Sequence, residues 1–296
     1  MGAMGSALTT IGLPVALGII MFGLGLSLTP SDFARVAKHP RAVIIALVCQ
    51  LLLLPALCFG LVLLFRLPPV LAVGMMLLAA SPGGTTANLY SHLFRGDVAL
   101  NISLTAINSV ISVLTLPFLV NLSLAYFYPD AGRLGIDIVE ALKVFAIVLV
   151  PVVIGMLVRR AREGFADRMD KPVRIASMVI LAVVIVGAVV SNLRLFAENI
   201  GALAGITVLF CVLSLSIGFA LPRLLRVSRP QAVASSFEIG IHNATLAIVI
   251  AQTMLNDIEM SLPGAVYGVL MFFIAAAFGL VLTRVGQRAS LSTTEP

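Results

Sequence analysis

Glu238 is the one carboxylate set deep in an apolar run of this chain, and His242 and Asn243 follow within five residues. An ionised side chain at the centre of a bilayer costs about 2.5 kcal/mol or more, so a residue of this kind is functional by default. A carboxylate there can hold a cation or carry a proton. The bland alternative pairs Glu238 with backbone groups or with His242. A second polar run, Ser81-Pro82-Gly83-Gly84-Thr85-Thr86-Ala87-Asn88, interrupts another apolar stretch. Proline followed by two glycines breaks a helix in its middle. Freed backbone groups at membrane depth persist only where protein or a cavity satisfies them. The run therefore reads in one of two ways. It is a kinked helix with Ser and Thr bonding back to the backbone, or an unwound stretch presenting carbonyls, hydroxyls and a half-helix N-terminus to a ligand.

Catalytic readings fare poorly. Glu238 and His242 stand at i and i+4 and would share one face of a continuous helix, as a metal pair could. No third His or Cys partner accompanies them, and neither an HExxH pattern nor a Cys pair occurs. Ser81 has no nucleophile elbow around it. No enzyme is expected, and no cofactor beyond a coupling ion.

The elements that position these residues follow from composition. The 296 residues are 60% hydrophobic and 11% charged, with a mean hydropathy of +1.12. A chain so apolar cannot cover a water-facing surface, and its outer face must meet lipid. Nine apolar segments reach the length of a span, roughly 20 residues or more. They run over 7–28, 41–65, 69–92, 98–127, 136–158, 173–194, 199–222, 231–254 and 261–283. Pro, Gly and charge mark the joints, as in Leu67-Pro68-Pro69, Arg95-Gly96-Asp97 and Arg229-Pro230.

The net charge of +6 does not form one basic patch, which argues against nucleic acid. Instead 15 of the 19 Lys and Arg residues fall in alternate connections. The positive-inside rule then places the N-terminus outside and the C-terminus in the cytoplasm; the expected setting is a bacterial inner membrane. Cys49, Cys58 and Cys211 lie in apolar runs and read as small packing residues. Met1-Gly2-Ala3-Met4-Gly5-Ser6 matches a myristoylation pattern, but an acyl anchor adds little to a polytopic chain. The run 7–28 has no basic residue before it and reads as a retained span, not a signal peptide. Asn108 and Asn192 are expected to bond between helices, Glu140 and Lys143 to form an ion pair, and His39 and His92 to be solvated near inner helix ends.

Segments three and eight, the two polar-interrupted ones, run in opposite directions and are each flanked by ordinary spans. Segments one to four then match six to nine with inverted direction, leaving five as a connector. This is the inverted repeat of secondary transporters, with a broken helix at equivalent places in each half.

Several motifs carry a resemblance over nearly the whole chain. Pro82-Gly83-Gly84-Thr85-Thr86-Ala87-Asn88, Glu238-Ile239-Gly240-Ile241-His242-Asn243, the run from Gly18 to Leu26 followed by Pro30-Ser31-Asp32-Phe33, and Arg95-Gly96-Asp97-Val98-Ala99-Leu100 resemble the bile acid:sodium symporter family, which includes the apical sodium-dependent bile acid transporter. The resemblance implies an all-α polytopic fold of nine transmembrane helices, one transporter unit over 1–296. A core domain would cover about 41–127 and 199–283, with two broken helices crossing at its centre. A panel domain would cover about 7–28 and 136–194. Alternating access would carry a small organic anion, a bile acid or a small carboxylate such as pantoate, together with Na⁺.

By position, the family's sodium sites fall on Ala87, Asn88, Asn101, Thr105 and Glu238, and on Gln50, Glu238, Ile239, Ile241 and His242. Thr85, Thr86, Asn88 and Asn243 would face the substrate. Ala87 and Asn101 stand where serine is common in the family, and His242 where glutamine is common. These departures leave the ion stoichiometry open and admit proton coupling through Glu238 and His242. A non-transporting membrane sensor is the remaining alternative. The protein is expected to be a monomer.

Overall fold

The computed structural model describes residues 13–36, 39–129, 138–191 and 193–291. Met1–Ser6, Asn192 and the side chains of Thr85, Glu140 and Lys143 lie outside the described residues. Among the described residues the architecture is all-helical; one isolated bridge, between Gly83 and His242, is the sole β contact.

The helices are α1 (Leu13–Ser27), the short α2 (Pro30–Val36), α3 (Pro40–Leu64), α4 (Pro69–Ala80), α5 (Thr85–Leu93) and α6 (Val98–Phe127), followed by α7 (Ile138–Ala161), α8 (Glu163–Ser191), α9 (Leu193–Leu224), α10 (Arg229–Gly240), α11 (Ala244–Thr253) and α12 (Leu262–Leu291). Four stretches among the described residues are long and apolar enough to cross a membrane: Pro40–Leu64, Val98–Phe127, Phe196–Leu224 and Glu259–Arg284. Large apolar side chains such as Leu64, Leu114, Phe118 and Phe273 stand on the outer surface, more than 65% exposed. Water would not tolerate that density of bare hydrocarbon, and lipid does. The chain is an all-helical, multi-pass membrane protein.

The expected interruptions are present. α4 stops at Ala80 and α5 starts at Thr85, with Ser81 and Gly84 extended between them. α10 stops at Gly240 and α11 starts at Ala244, with Ile241 extended. These half-helices occupy the middle of the molecule: every residue from Leu71 to Ser81 and from Ala232 to His242 is buried. Ordinary helices α3, α6, α9 and α12 surround them.

The same turns occur twice along the chain. α3 and α9 are each followed by a left-handed arginine, Arg66 at φ 51 and Arg226 at φ 60, and each arginine precedes a proline at the start of a half-helix. α5 is followed by left-handed Arg95 (φ 59) and α11 by left-handed Asn256 (φ 50). Each is followed by an aspartate that caps the next element, Asp97 accepting from Leu100 N–H and Asp257 from Glu259 N–H.

α1, α7 and α8 pack chiefly on one another. Glycine makes this possible: a Cβ at Gly25 would run into the Val152 backbone, and one at Gly155 into the backbone of Phe22 and Leu26. Small residues at a crossing let two membrane helices approach to backbone contact.

Candidate functional site

The two interruptions meet. The backbone N–H of Asn243 donates to Pro82 carbonyl at 2.8 Å, and Gly83 bridges His242. Chain that would be unsatisfied in each broken helix is thus partly satisfied by the other, which is how irregular backbone survives at membrane depth. The remaining ends are tied by side chains. Gln50 sits on a π-helical turn, Cys49–Leu53, that widens α3; such turns are frequent at functional sites. Its Nε2 donates to Ser81 carbonyl at 3.1 Å, at the C-terminal end of α4. Asn243 caps α11, its Oδ1 accepting from Leu246 N–H at 3.0 Å.

Glu238 lies at the crossing and is fully buried. Thr105 Oγ1 donates to its Oε2 at 2.5 Å, and Asn108 Nδ2 to its Oε1 at 3.1 Å. No Cβ fits at Gly83: it would stand 2.5 Å from Glu238 Cδ and Oε1. The glycine is therefore needed for this close approach as well as for breaking the helix. Among the described residues no positively charged side chain pairs with Glu238, and no salt bridge includes it.

Four amide oxygens are buried without a hydrogen-bond partner: Gln50 Oε1, Asn88 Oδ1, Asn101 Oδ1 and, on the residue that bonds the carboxylate, Asn108 Oδ1. Each unpaired buried acceptor costs about 1–3 kcal/mol. The nitrogen of Asn101 is used, donating to Ser91 Oγ at 2.7 Å and to Ala234 carbonyl at 2.9 Å, so its oxygen is held in a fixed direction. One carboxylate and several bare oxygens are the donor set of a hard cation.

The anticipated site residues are distributed as follows. Gln50, Asn101, Thr105, Glu238, Ile239, Ile241 and His242 are all buried, on α3, on α6 and on or just after α10. Thr86, Asn88 and Asn243 are half-buried at the start of the half-helices α5 and α11. Asn108 proves to be a direct partner of Glu238, beyond general bonding between helices. It continues the Asn101, Thr105 stripe at i+7, and that spacing on one helix face was the available signal.

The expected break in segment eight falls between Glu238 and His242. The helix ends at Gly240, so residues 238 and 242 do not share a face. The ring packs beside Phe210 and Tyr267, with Nδ1 3.2 Å from Tyr267 Oη, and makes no hydrogen bond to Glu238. His39, expected in solvent, is half-buried and bonds Gln231 Nε2 at 3.1 Å; His92 is exposed.

A buried carboxylate at the crossing of two interrupted helices is an arrangement that suits an ion-coupled membrane carrier. Sequence comparison identifies which. Residues 14–199 match the model of the Sodium Bile acid symporter family. A sodium-dependent transporter of Bacillus subtilis is 32% identical over 259 residues, 86% of this chain and 78% of that one. The human ileal sodium/bile acid cotransporter is 25% identical over 271 residues, covering 90% of this chain and 77% of its own length. A probable chloroplastic sodium/metabolite cotransporter of rice is 25% identical over 277 residues, 93% of this chain and 65% of that protein. The chain belongs to the sodium bile acid symporter family. It is a membrane symporter, not an enzyme.

Proposed function

We propose that the protein couples entry of Na⁺ to import of a small organic anion by alternating access. The observation that carries this reading is the buried, uncompensated Glu238 at the helix crossing, together with buried amide oxygens that have no partner. Glu238, Asn88, Asn101 and Thr105 hold one Na⁺, with Asn108 steadying the carboxylate. Gln50, Glu238, His242 and the carbonyls of Ile239 and Ile241 form a second site. The names of the relatives support the sodium coupling.

The anion meets the half-helix N-termini, where unpaired N–H groups and the helix dipole favour negative charge. Thr85, Thr86, Asn88 and Asn243 line that place. Bile acids and small carboxylates such as pantoate are the substrate classes to screen.

The repeated turns at Arg66 and Arg226, and at Arg95 and Asn256, support two repeated halves, and the alternation of basic connections supports nine spans, an inverted second half and an N-terminus outside. The packing of α1 with α7 and α8 supports a panel (7–28 and 136–194) that rocks against a core (41–127 and 199–283). The working unit is a monomer in the inner membrane.

The test is thermal stabilisation of the purified protein by Na⁺ against K⁺ at equal ionic strength, then Na⁺-driven uptake in proteoliposomes. A ligand specific to the folded state raises apparent stability as its concentration rises. Stabilisation by Na⁺ alone, absent in Glu238→Gln, is expected. Na⁺-driven uptake that survives in Glu238→Gln sinks the proposal. A second reading, proton coupling, is favoured by the unpartnered Nε2 of His242; uptake driven by a pH gradient without Na⁺ would establish it.

A further inference from the structure

His242 is held by a network that the cation sites do not require. Its Nδ1 lies 3.2 Å from Tyr267 Oη, and the Tyr267 hydroxyl donates to Gly240 carbonyl at 2.8 Å. Tyr267 is fully buried, 25 residues further along the chain on α12. A phenol has one proton to give. With that proton donated to Gly240 O, the 3.2 Å contact with the imidazole is a hydrogen bond only when Nδ1 is the donor. In the neutral ring Nε2 is then a bare lone pair, and it is buried without a partner. The ring cannot rotate freely: its centroid is 5.3 Å from that of Phe210 and 5.4 Å from that of Tyr267, the latter edge-on at 88°.

We propose that Tyr267 is a positioning residue for cation binding, acting through His242 by fixing its tautomer so that Nε2 presents a lone pair, not an N–H, at the helix crossing. The inference rests on the sodium reading above, in which His242 borders the second cation site. The physical cause is the sign of the dipole. An N–H aimed at a cation opposes it, whereas a lone pair attracts it, and both tautomers of a neutral imidazole are otherwise accessible. The Gly240 carbonyl anchors the hydroxyl proton; it belongs to the last residue of α10, two positions beyond Glu238. Second-sphere partners of ligating histidines set the tautomer in this manner at metal sites in general.

The experiment is a double-mutant cycle on the purified full chain, reading the Na⁺ concentration that gives half-maximal thermal stabilisation. Tyr267→Phe removes only the hydroxyl. It is expected to raise the half-maximal Na⁺ concentration by about tenfold, the size of one lost buried hydrogen-bond orientation. In a His242→Gln background, where no tautomer exists to be set, Tyr267→Phe is expected to change that concentration less than twofold. An equal shift in both backgrounds overturns the proposal, because Tyr267 then acts on the fold alone. Nitrogen NMR of histidine-labelled wild-type protein is the second measurement, and it needs no variant of Tyr267 to fold. There are three histidines, and the His242 signals are those lost in His242→Gln. A proton on Nδ1 and a bare Nε2 are expected; a proton on Nε2 overturns the inference. Absence of any Na⁺ stabilisation in wild type would instead fail the sodium reading, and the NMR result would still decide the tautomer.

Discussion

Gly83, in the break between α4 and α5, packs against Glu238 on α10: the position a Gly83 Cβ would take lies 2.5 Å from the carboxyl carbon of Glu238. One residue of the first interruption therefore serves the charged group of the second half. Neither element can be repacked without moving the other, which makes the crossing a single unit.

Gly83→Ala should expose that dependence. The added methyl has no space, and overpacking of this kind costs about 1–3 kcal/mol. The expected result is a lower melting temperature together with loss of Na⁺-dependent stabilisation. Gly84→Ala is the control, because nothing lies within 4 Å of its Cβ position. Gly84→Ala should keep the Na⁺ response, and equal damage from both substitutions would refute the contact argument.

Asn108 should matter more than its absence from the motifs suggests. Asn108→Ala leaves Glu238 Oε1 without its side-chain donor, and breaking a buried bond to a charged group costs about 1.5–3 kcal/mol. Weaker Na⁺ stabilisation is expected, measured by the midpoint of a sodium titration. Thr105→Val, which removes the 2.5 Å bond to Oε2 with little change of shape, should weaken it as well. A sodium midpoint unchanged in both variants would show that neither donor steadies the carboxylate for the ion.

How far these features could be read from sequence depends on the kind of signal each leaves. The interruption at Pro82-Gly83-Gly84 is legible because proline lacks an N–H and glycine has little helical preference. The interruption at Ile241-His242-Asn243 contains no such breaker. Gly240 just before it and Asn243, a good N-cap, mark segment eight as broken, but neither says that the break falls between Glu238 and His242. The π-helical turn at Gln50 leaves no trace in residue type, since Cys-Gln-Leu-Leu-Leu would fit any apolar helix. Contacts between distant segments, such as Tyr267 with His242 or Asn101 with Ala234, depend on the packing of α12 and α6 and have no local pattern at all. Residues fixed by charge burial, by contrast, stood out at once, because Glu238 in an apolar run has so few alternatives.

Gln50 provides a separate check on the π-helical turn. Its amide nitrogen holds Ser81 carbonyl while its oxygen is bare. Gln50→Leu keeps the volume and removes both groups, so Ser81 O loses a donor and the second cation site loses an oxygen. Sodium stabilisation should weaken severalfold, with a loss of about 1–2 kcal/mol in stability without Na⁺. Gln50→Glu retains the oxygen but not the donor. It should bind Na⁺ more tightly than Gln50→Leu; the reverse order would mean that the amide serves only as a strut for Ser81.

Gly25 and Gly155 allow the contribution of α1, α7 and α8 to be separated from that of the ion site. A Cβ at Gly25 has to displace the Val152 backbone, and one at Gly155 the backbone of α1. Backbone cannot yield as a flexible side chain can, so Gly25→Ala and Gly155→Ala should each cost about 1–3 kcal/mol of stability. Neither touches Glu238 or its donors. The sodium midpoint should therefore stay where it is while the melting temperature falls and uptake slows. Uptake and melting are read on the same reconstituted samples. A shifted sodium midpoint in either variant would mean that this three-helix group helps to build the ion site, contrary to the division into a rocking panel and an ion-binding core.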